Sequence, residues 1–418
     1  MQNRLDDVYA SLLARRASRG RLRRLTIPPP GVVDFSSNSY LSLQTNPDIR
    51  SAYLARLQAP STSSGCVRGS RLLDGNSPAA EALERDVAAF HGAPAGLLFN
   101  SGFAANTGLF SCAPQPGDVV VHDELIHASV HDGIRLGGAR AVAFAHNCVS
   151  SLDETLAGLV AGDAGRGIRT GQTNVFVAVE SVYSMDGDVA RLQEMVECVE
   201  RRLPLANGHL VVDEAHATGW LGSCGRGLVS QLGLEERVFC RIHTFGKSLG
   251  CAGAIILCSP TTRWYLINYA RSLIYTTALC HDSLAAVETV YAYLMTGQAE
   301  AHRRRLRLLV LHVHRLLTRL CARRRPPAHI LGINPDQPES PIIPILTAHA
   351  RSLAQRCQDR GFMVRPMVAP TVPAGAERVR LCVHAGNNTE EVQGLCEAID
   401  EWVCERLAGG KTLGKVKL

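Results

Sequence analysis

Lys247, in the stretch "CRIHTFGKSLGCAGA" (240–254), is the only lysine in residues 1–410, a span that holds forty arginines; the other lysines, Lys411, Lys415 and Lys417, stand in the tail. Arginine carries a positive charge at least as well and pairs with carboxylates and phosphates more rigidly. It does not give up its proton near neutral pH and attack a carbonyl, whereas a lysine amine does so once burial or a neighbouring cation lowers its pKa. A GC-rich coding sequence would also enrich arginine, so the count by itself does not decide and the surroundings must. "LLFNSGFAAN" places Ser101, Gly102 and Phe103 at the head of a helical run, where free backbone N–H groups and the helix dipole would face an anion such as phosphate. "VVVHDELIHAS" carries His127, "AVESVYSMDGD" carries Glu180 and Ser184, "HLVVDEAHATG" carries Asp213 and His216, and "IHTFGK" carries Thr244 and Lys247. Taken singly, each has a plain structural reading: Asp213 as a helix N-cap, the histidines as satisfied polar groups, the glycines as turns. Together they offer an amine, a carboxylate, an aromatic base and an anion nest.

The elements that must position this set are strands. Short β-rich runs read "AGLLF" (95–99), "DVVVHD" (118–123), "RAVAFAH" (140–146), "NVFVAVES" (174–181), "HLVVDEA" (209–215), "CRIHTF" (240–245) and "GAIILCS" (253–259). Each is nearly continuous in apolar residues, which predicts strands buried on both faces, and helical patterns such as "SLDETLAGLVA" lie between several of them. The fold class is α/β, a large, mostly parallel sheet wrapped by helices. In such a sheet ligands gather at the carboxyl ends of the strands, and the residues named above fall there. After residue 259 the chain reads as helical to about 325 and then passes a Pro-rich loop ("RRRPPA", "NPDQPESP"). A smaller α+β unit follows: strand "IIPIL", helix "ARSLAQRCQDRGF", strand "RVRLCVH" and helix "TEEVQGLCEAIDEWVCERL". The expected organisation is an N-terminal helix and substrate-side segment (1–60), a large domain (61–300), a small C-terminal α+β domain (301–408) and a mobile tail (409–418).

Bulk properties narrow the function classes. With 418 residues, 46% hydrophobic and 20% charged, the chain has ample core for two or three domains, and a net charge of +6 is mild for that length. The run "AHRRRLRLLVLHVHRLLTRLCARRR" (301–325) is basic enough to raise nucleic-acid binding, but its leucines and valines recur at helical spacing, so a solvated face of a packed helix accounts for it. Fourteen cysteines include no C-x-x-C pair, and several (Cys112, Cys258, Cys382, Cys396) sit in apolar runs, which fits buried reduced thiols better than a disulfide frame or a metal site. The N-terminus lacks an apolar signal region and no run reaches membrane-spanning length, so secretion and membrane insertion are disfavoured. A cytoplasmic location is expected, with the final Val416-Lys417-Leu418 echoing the peroxisomal tripeptide.

One cofactor needs the set around Lys247. Pyridoxal 5'-phosphate (PLP) requires an amine for a Schiff base, a carboxylate against its pyridinium nitrogen and a nest for its phosphate. Here the chain resembles the α-oxoamine synthases, PLP enzymes of aminotransferase fold type I. The resemblance runs from "DFSSNSYLSL" (34–43) to "CVHAGNNTEEV" (382–392), through "GSRLLDGN", "SGFAAN", "DELIHAS", "SVYSMDGD", "VVDEAHATGWLG", "TFGKSLG", "YTTAL" and "APTVPAG". It implies that Lys247 forms the Schiff base, Asp213 pairs with the pyridine nitrogen, His216 contacts the ring hydroxyl and His127 stacks on the ring. It implies further that Gly102, Phe103 and Thr244 hold the phosphate beside Ser101, that Ser184 and Glu180 line the cofactor, and that Thr276 and Thr277 reach the phosphate of a neighbouring subunit in a homodimer. Arg380 matches the family arginine that clamps the amino-acid carboxylate, a task suited to a bidentate fork, and Asn38 and Tyr40 match a substrate-side loop.

The activity so implied is decarboxylative condensation of an amino acid with an acyl thioester, on coenzyme A or a carrier protein, to an α-amino ketone. The sequence departs from the family pattern at Val368, where arginine is common and Arg365 stands three residues earlier; at Ala80, where a histidine is common; and at Cys280 and His281, where two prolines are common. All three places bear on acyl-chain or amino-acid recognition, so substrate identity stays open. A secondary-metabolite synthase offloading a polyketide chain onto an amino acid would share every residue above. An ordinary transaminase would share the lysine, aspartate and nest but release a keto acid. A non-catalytic partner subunit would lack the lysine.

Overall fold

The computed structural model describes residues 4–58, 68–162 and 165–413. Its strands are β1 (Val33–Asp34), β2 (Ala95–Phe99), β3 (Val119–Asp123), β4 (Arg140–Phe144), β5 (Val175–Glu180), β6 (Gly208–Asp213), β7 (Cys240–Thr244), β8 (Ala254–Cys258), β9 (Ile342–Leu346), β10 (Phe362–Met363), β11 (Arg365–Met367) and β12 (Arg378–Cys382). Seven of them form one sheet in the order β2-β8-β7-β6-β5-β3-β4. The pairs from β7 to β4 are parallel, and β8 runs antiparallel to both β7 and β2. Helices cover both faces, so β3, β5, β7 and β8 are buried along their whole length, the physical reason their sequences are apolar without alternation. β4, one of the two edge strands, departs from that expectation: only Phe144 is buried, whereas β2 at the other edge is buried from Gly96 to Phe99.

Two helices place the site. Gly102–Cys112 follows β2 and is started by Ser101, whose hydroxyl accepts a hydrogen bond from the Ala104 N–H. Ala128–Gly137 follows β3 and packs tightly on Gly102–Cys112: a Cβ at Gly133 would lie 2.8 Å from Phe110 Cβ, so only glycine permits the approach. Phe110 fills the contact, and trimming such a buried ring to alanine costs about 3–5 kcal/mol.

The C-terminal unit holds the antiparallel sheet β11-β12-β9, the helix Ala350–Asp359 and the helix Thr389–Leu413. The arginine-rich run forms the helix Glu300–Arg324, burying Leu306, Leu309, Val310, Val313, Leu317 and Leu320 at helical spacing, while Arg323 and Arg324 both pair with Asp400. It is a packed helix with a solvated face, as its periodicity indicates. Thr389–Leu413 continues helical through Gly409 and Gly410, where a mobile tail is expected; glycine costs a helix about 1 kcal/mol and does not by itself end one. The rest of that tail, including the C-terminal tripeptide, lies outside the described residues.

The segment around residues 33–43 packs on this C-terminal unit although some 330 positions separate them. β1 pairs with β10, the Phe35 carbonyl accepts from the Cys382 N–H at 2.9 Å, and that of Tyr40 accepts from the Ala385 N–H at 2.7 Å. Asn38 and Tyr40 are thereby carried to the end of β12. The described cysteines are all free thiols. No helix among the described residues is long and apolar enough to cross a membrane.

Candidate active site

β5, β6 and β7 lie side by side and end together. Glu180 and Asp213 are register partners on adjacent parallel strands, so their carboxyls leave the sheet on the same face, and Lys247 follows the end of β7 by three residues. Both acids are buried. Asp213 is held at both oxygens: Oδ1 accepts from the Ala215 N–H at 2.9 Å and Oδ2 from Asn106 Nδ2 at 2.7 Å. Burial, reinforced by the Asp213 charge, pushes the Glu180 carboxyl up to about 8, so one carboxyl of the pair is neutral near pH 7. The surrounding protein pulls the Lys247 ammonium below its ordinary range; Asp213 and Glu180 oppose the shift and Arg380 adds to it. That is the direction an attacking amine requires.

His216 is buried, and its Nδ1 lies 2.7 Å from the Tyr40 hydroxyl, which in turn lies 3.2 Å from Asn38 Oδ1. Burial, with Lys247 and Arg380 nearby, holds this imidazole well below its usual range, so it is neutral. His127 is the N-cap of Ala128–Gly137, its ring open to solvent, with Phe103 edge-on at 6.3 Å between ring centroids.

The anion nest has the expected form. The Ser101 hydroxyl caps its own helix by accepting from the Ala104 N–H, which leaves its own hydrogen to donate to an anion. Gly102 closes on Thr244: a Cβ there would lie 3.3 Å from Thr244 Cβ. Thr276 and Thr277 stand beside the nest through Asn100, whose Nδ2 donates to Thr276 Oγ1 at 3.1 Å and to the Thr277 carbonyl at 2.9 Å.

Arg380 closes the far side. It is buried on β12, donating through Nη1 to the Ser184 carbonyl at 3.0 Å and through Nη2 to Asn38 Oδ1, while its Nε is buried without a partner. Ser184 thus meets Arg380 through its backbone. Of the departures from the family pattern, Ala80 is buried in the helix Pro78–Phe90, Cys280 is the N-cap of the helix His281–Met295, and Val368 packs on the core. Arg365 is the cross-strand partner of Arg380 and donates to Thr26 Oγ1 at 2.8 Å. Three residues escape the sequence reading: Asn100, Asn106 and Ser129. Asn106 lies one helical turn after Gly102 beside Thr107, so no contrast with its neighbours sets it apart in the sequence.

The residues present fit PLP. A glycine-lined helix N-terminus beside a threonine suits its phosphate, a backbone-anchored carboxylate its ring nitrogen, and a depressed amine its aldehyde.

Comparison with known proteins agrees. The family "Aminotransferase class I and II" matches residues 30–399. The chain is 49% identical over 401 residues to 8-amino-7-oxononanoate synthase of Emericella nidulans, covering 96% of each chain. It is 37% identical over 387 residues to the aminoacyl transferase sphA of Aspergillus fumigatus, covering 90% of this chain and 82% of that one. In three dimensions it matches a high-resolution structure of SPT with PLP at a TM-score of 0.82 and 24% identity, covering 98% of this chain and 100% of that chain.

Proposed function

This chain belongs to the aminotransferase class I and II family, in its α-oxoamine synthase branch, and from that premise we propose that it joins alanine to a seven-carbon dicarboxylic acyl thioester with loss of CO2. The product named by its 49%-identical relative dictates these substrates: alanine without its carboxyl supplies two carbons of 8-amino-7-oxononanoate, and the acyl chain supplies the other seven. The observation that carries the reading is the placing of the lone body lysine, Lys247, just past the end of β7 where the register partners Glu180 and Asp213 end β5 and β6.

When bound, PLP supplies an electron sink for the amino acid's α-carbon. The side chains do the rest. Asp213 would face the ring nitrogen and keep it protonated, the helix N-terminus at Gly102 and Phe103 with Thr244 would hold the phosphate, and His127 would lie against the ring. Neutral His216 donates to or accepts from the ring hydroxyl, according to its tautomer, and Glu180 and Ser184 border the ring. Arg380, steadied by Asn38 and through it by Tyr40, grips the amino-acid carboxylate. Lys247 takes the α-proton as general base, the carbon so activated displaces the thioester's sulfur as a thiolate that takes a proton from solvent, the carboxylate leaves as CO2, and the proton held by Lys247 returns to that carbon to complete the α-amino ketone. The two active sites of a homodimer are shared, Thr276 and Thr277 of each subunit reaching the other's phosphate cradle.

Incubation with alanine and the seven-carbon thioester should release free thiol and CO2 in equal amounts. Formation of a keto acid without thiol release identifies a transaminase and overturns the reading. A second reading has its own support: the similarity to the aminoacyl transferase sphA, together with the changes at Ala80, Val368, Cys280 and His281, supports a secondary-metabolite synthase that offloads a polyketide acyl chain onto an amino acid. Turnover of long monocarboxylic thioesters in preference to the dicarboxylic one would select it.

A further inference from the structure

We propose that Asn106 and Ser129 are positioning residues that fix His127 as the neutral imidazole with its proton on Nε2 while they hold Asp213 in place. The proposal rests on the reading of the site given above and concerns which atom of His127 carries a proton. Its basis is one directed chain of hydrogen bonds. Asn106 and Ser129 are both fully enclosed, at 2% and 0% exposure. The Asn106 amide nitrogen donates to Asp213 Oδ2 at 2.7 Å and to Ser129 Oγ at 3.1 Å, using both of its hydrogens. The reverse orientation of that amide would set Oδ1 against a carboxylate oxygen at 2.7 Å, and oxygen against oxygen there is repulsive; the observed cost is a buried Oδ1 with no partner.

With the lone pair of Ser129 Oγ receiving Asn106, its hydroxyl hydrogen is free to point at His127 Nδ1, 2.7 Å away. The Ser129 backbone N–H donates to the same nitrogen at 3.2 Å, and a backbone N–H has no other role to play. Two donors converge on Nδ1, so it carries no proton, and the proton of a neutral imidazole must sit on Nε2. The direction of the chain is set at its origin by the Asp213 carboxylate, which only accepts. The same two residues therefore hold the acid facing the ring nitrogen and present an N–H from the group covering the ring. The fold supplies the geometry: Asn106 lies in Gly102–Cys112, Ser129 in Ala128–Gly137, and Gly133 brings the two helices together.

The test uses the enzyme with PLP and three Ser129 forms. Ser129→Ala removes the hydroxyl and should weaken PLP binding roughly tenfold, the worth of one buried hydrogen bond, and shift the pH midpoint of the bound coenzyme's absorption. Ser129→Thr keeps the hydroxyl and should restore both. In wild type with 15N-labelled histidine, the His127 signals, identified by their loss in His127→Gln, should show Nδ1 bare and Nε2 protonated. A proton found on Nδ1 in wild type overturns the proposal even if the variants do not fold, and so does a Ser129→Ala enzyme with unchanged affinity and titration. Failure of the wild type to take up PLP would instead defeat the reading of the whole site, so the two failures are distinguishable.

Discussion

Lysine at 247 is demanded by a proton that has to leave. Enclosure by protein lowers the Lys247 pKa, and Asp213 and Glu180 hold it from falling further, so the amine is reactive without being permanently neutral. Lys247→Arg keeps charge and bulk but loses that proton chemistry; the variant should show no turnover and no covalent coenzyme adduct by mass spectrometry after borohydride reduction. Asp213→Asn keeps the hydrogen-bonding shape and removes the charge that keeps the ring nitrogen protonated. It should lower kcat/KM by about 10²–10³-fold while coenzyme still binds, the usual loss when one preorganised electrostatic partner is removed; a loss under threefold would show that Asp213 does not face the ring. Lys247 and Asp213 are legible in the sequence because each contrasts with its setting, a lysine among arginines and an acid ending an apolar strand. Asn106 and Ser129 are not, because a polar residue inside a helical run looks the same whether its side chain meets solvent or a buried carboxylate.

Elements explain why strand ends are readable and their supports are not. The interior strands of a parallel sheet are buried on both faces, so their apolar runs announce them and the polar residue that ends each run marks the ligand edge. What steadies that edge is non-local. Asp123 ends β3, and His146, from the loop after β4, bridges its carboxylate at 2.9 Å to Asp188 at 3.2 Å, which lies in the loop after β5. Between these anchors run Ser184, whose carbonyl receives Arg380, and Asp186, which pairs with Arg378 on β12. Burial alone would lower the His146 pKa, but its hydrogen bond to Asp123 and its ion pair with Asp188 outweigh that and push the imidazolium up to about 10. A histidine raised on folding contributes stability that is fully present below its unfolded value near 6.5 and is lost as pH climbs through its folded value. Wild-type melting temperature should therefore fall between about pH 6.5 and 10 more steeply than that of His146→Gln, and parallel melting curves for the two would show that the bridge carries no charge. No local pattern in "FAHNCVS" announces this bridge, just as nothing in residues 33–43 announces that they pack against β10 and β12.

On the scale of the whole molecule, the stretch of chain that leads into Thr276 and Thr277 exposes three large aromatic rings. Trp264, Tyr269 and Tyr275 are 64%, 58% and 73% exposed within a dozen residues, next to Thr276 and Thr277. Covering these rings with a second copy of the chain would remove them from water, and the proposed two-fold dimer would set each copy's threonines against the other's site. If the two sites are shared in this way, two disabled variants can repair one another. Lys247→Ala destroys the amine; Thr276→Glu/Thr277→Glu sets two carboxylates against the phosphate. In a mixed dimer one site receives both defects, while the other combines an intact lysine from one chain with intact threonines from its partner. Random reassortment makes half of the dimers mixed, so unfolding and refolding the two variants together should recover about a quarter of wild-type activity from two inactive parents. Sites complete within one chain would gain nothing on mixing, because every lysine would still be served by the threonines of its own chain, and zero recovery from dimers shown by mass to be mixed would refute the shared arrangement.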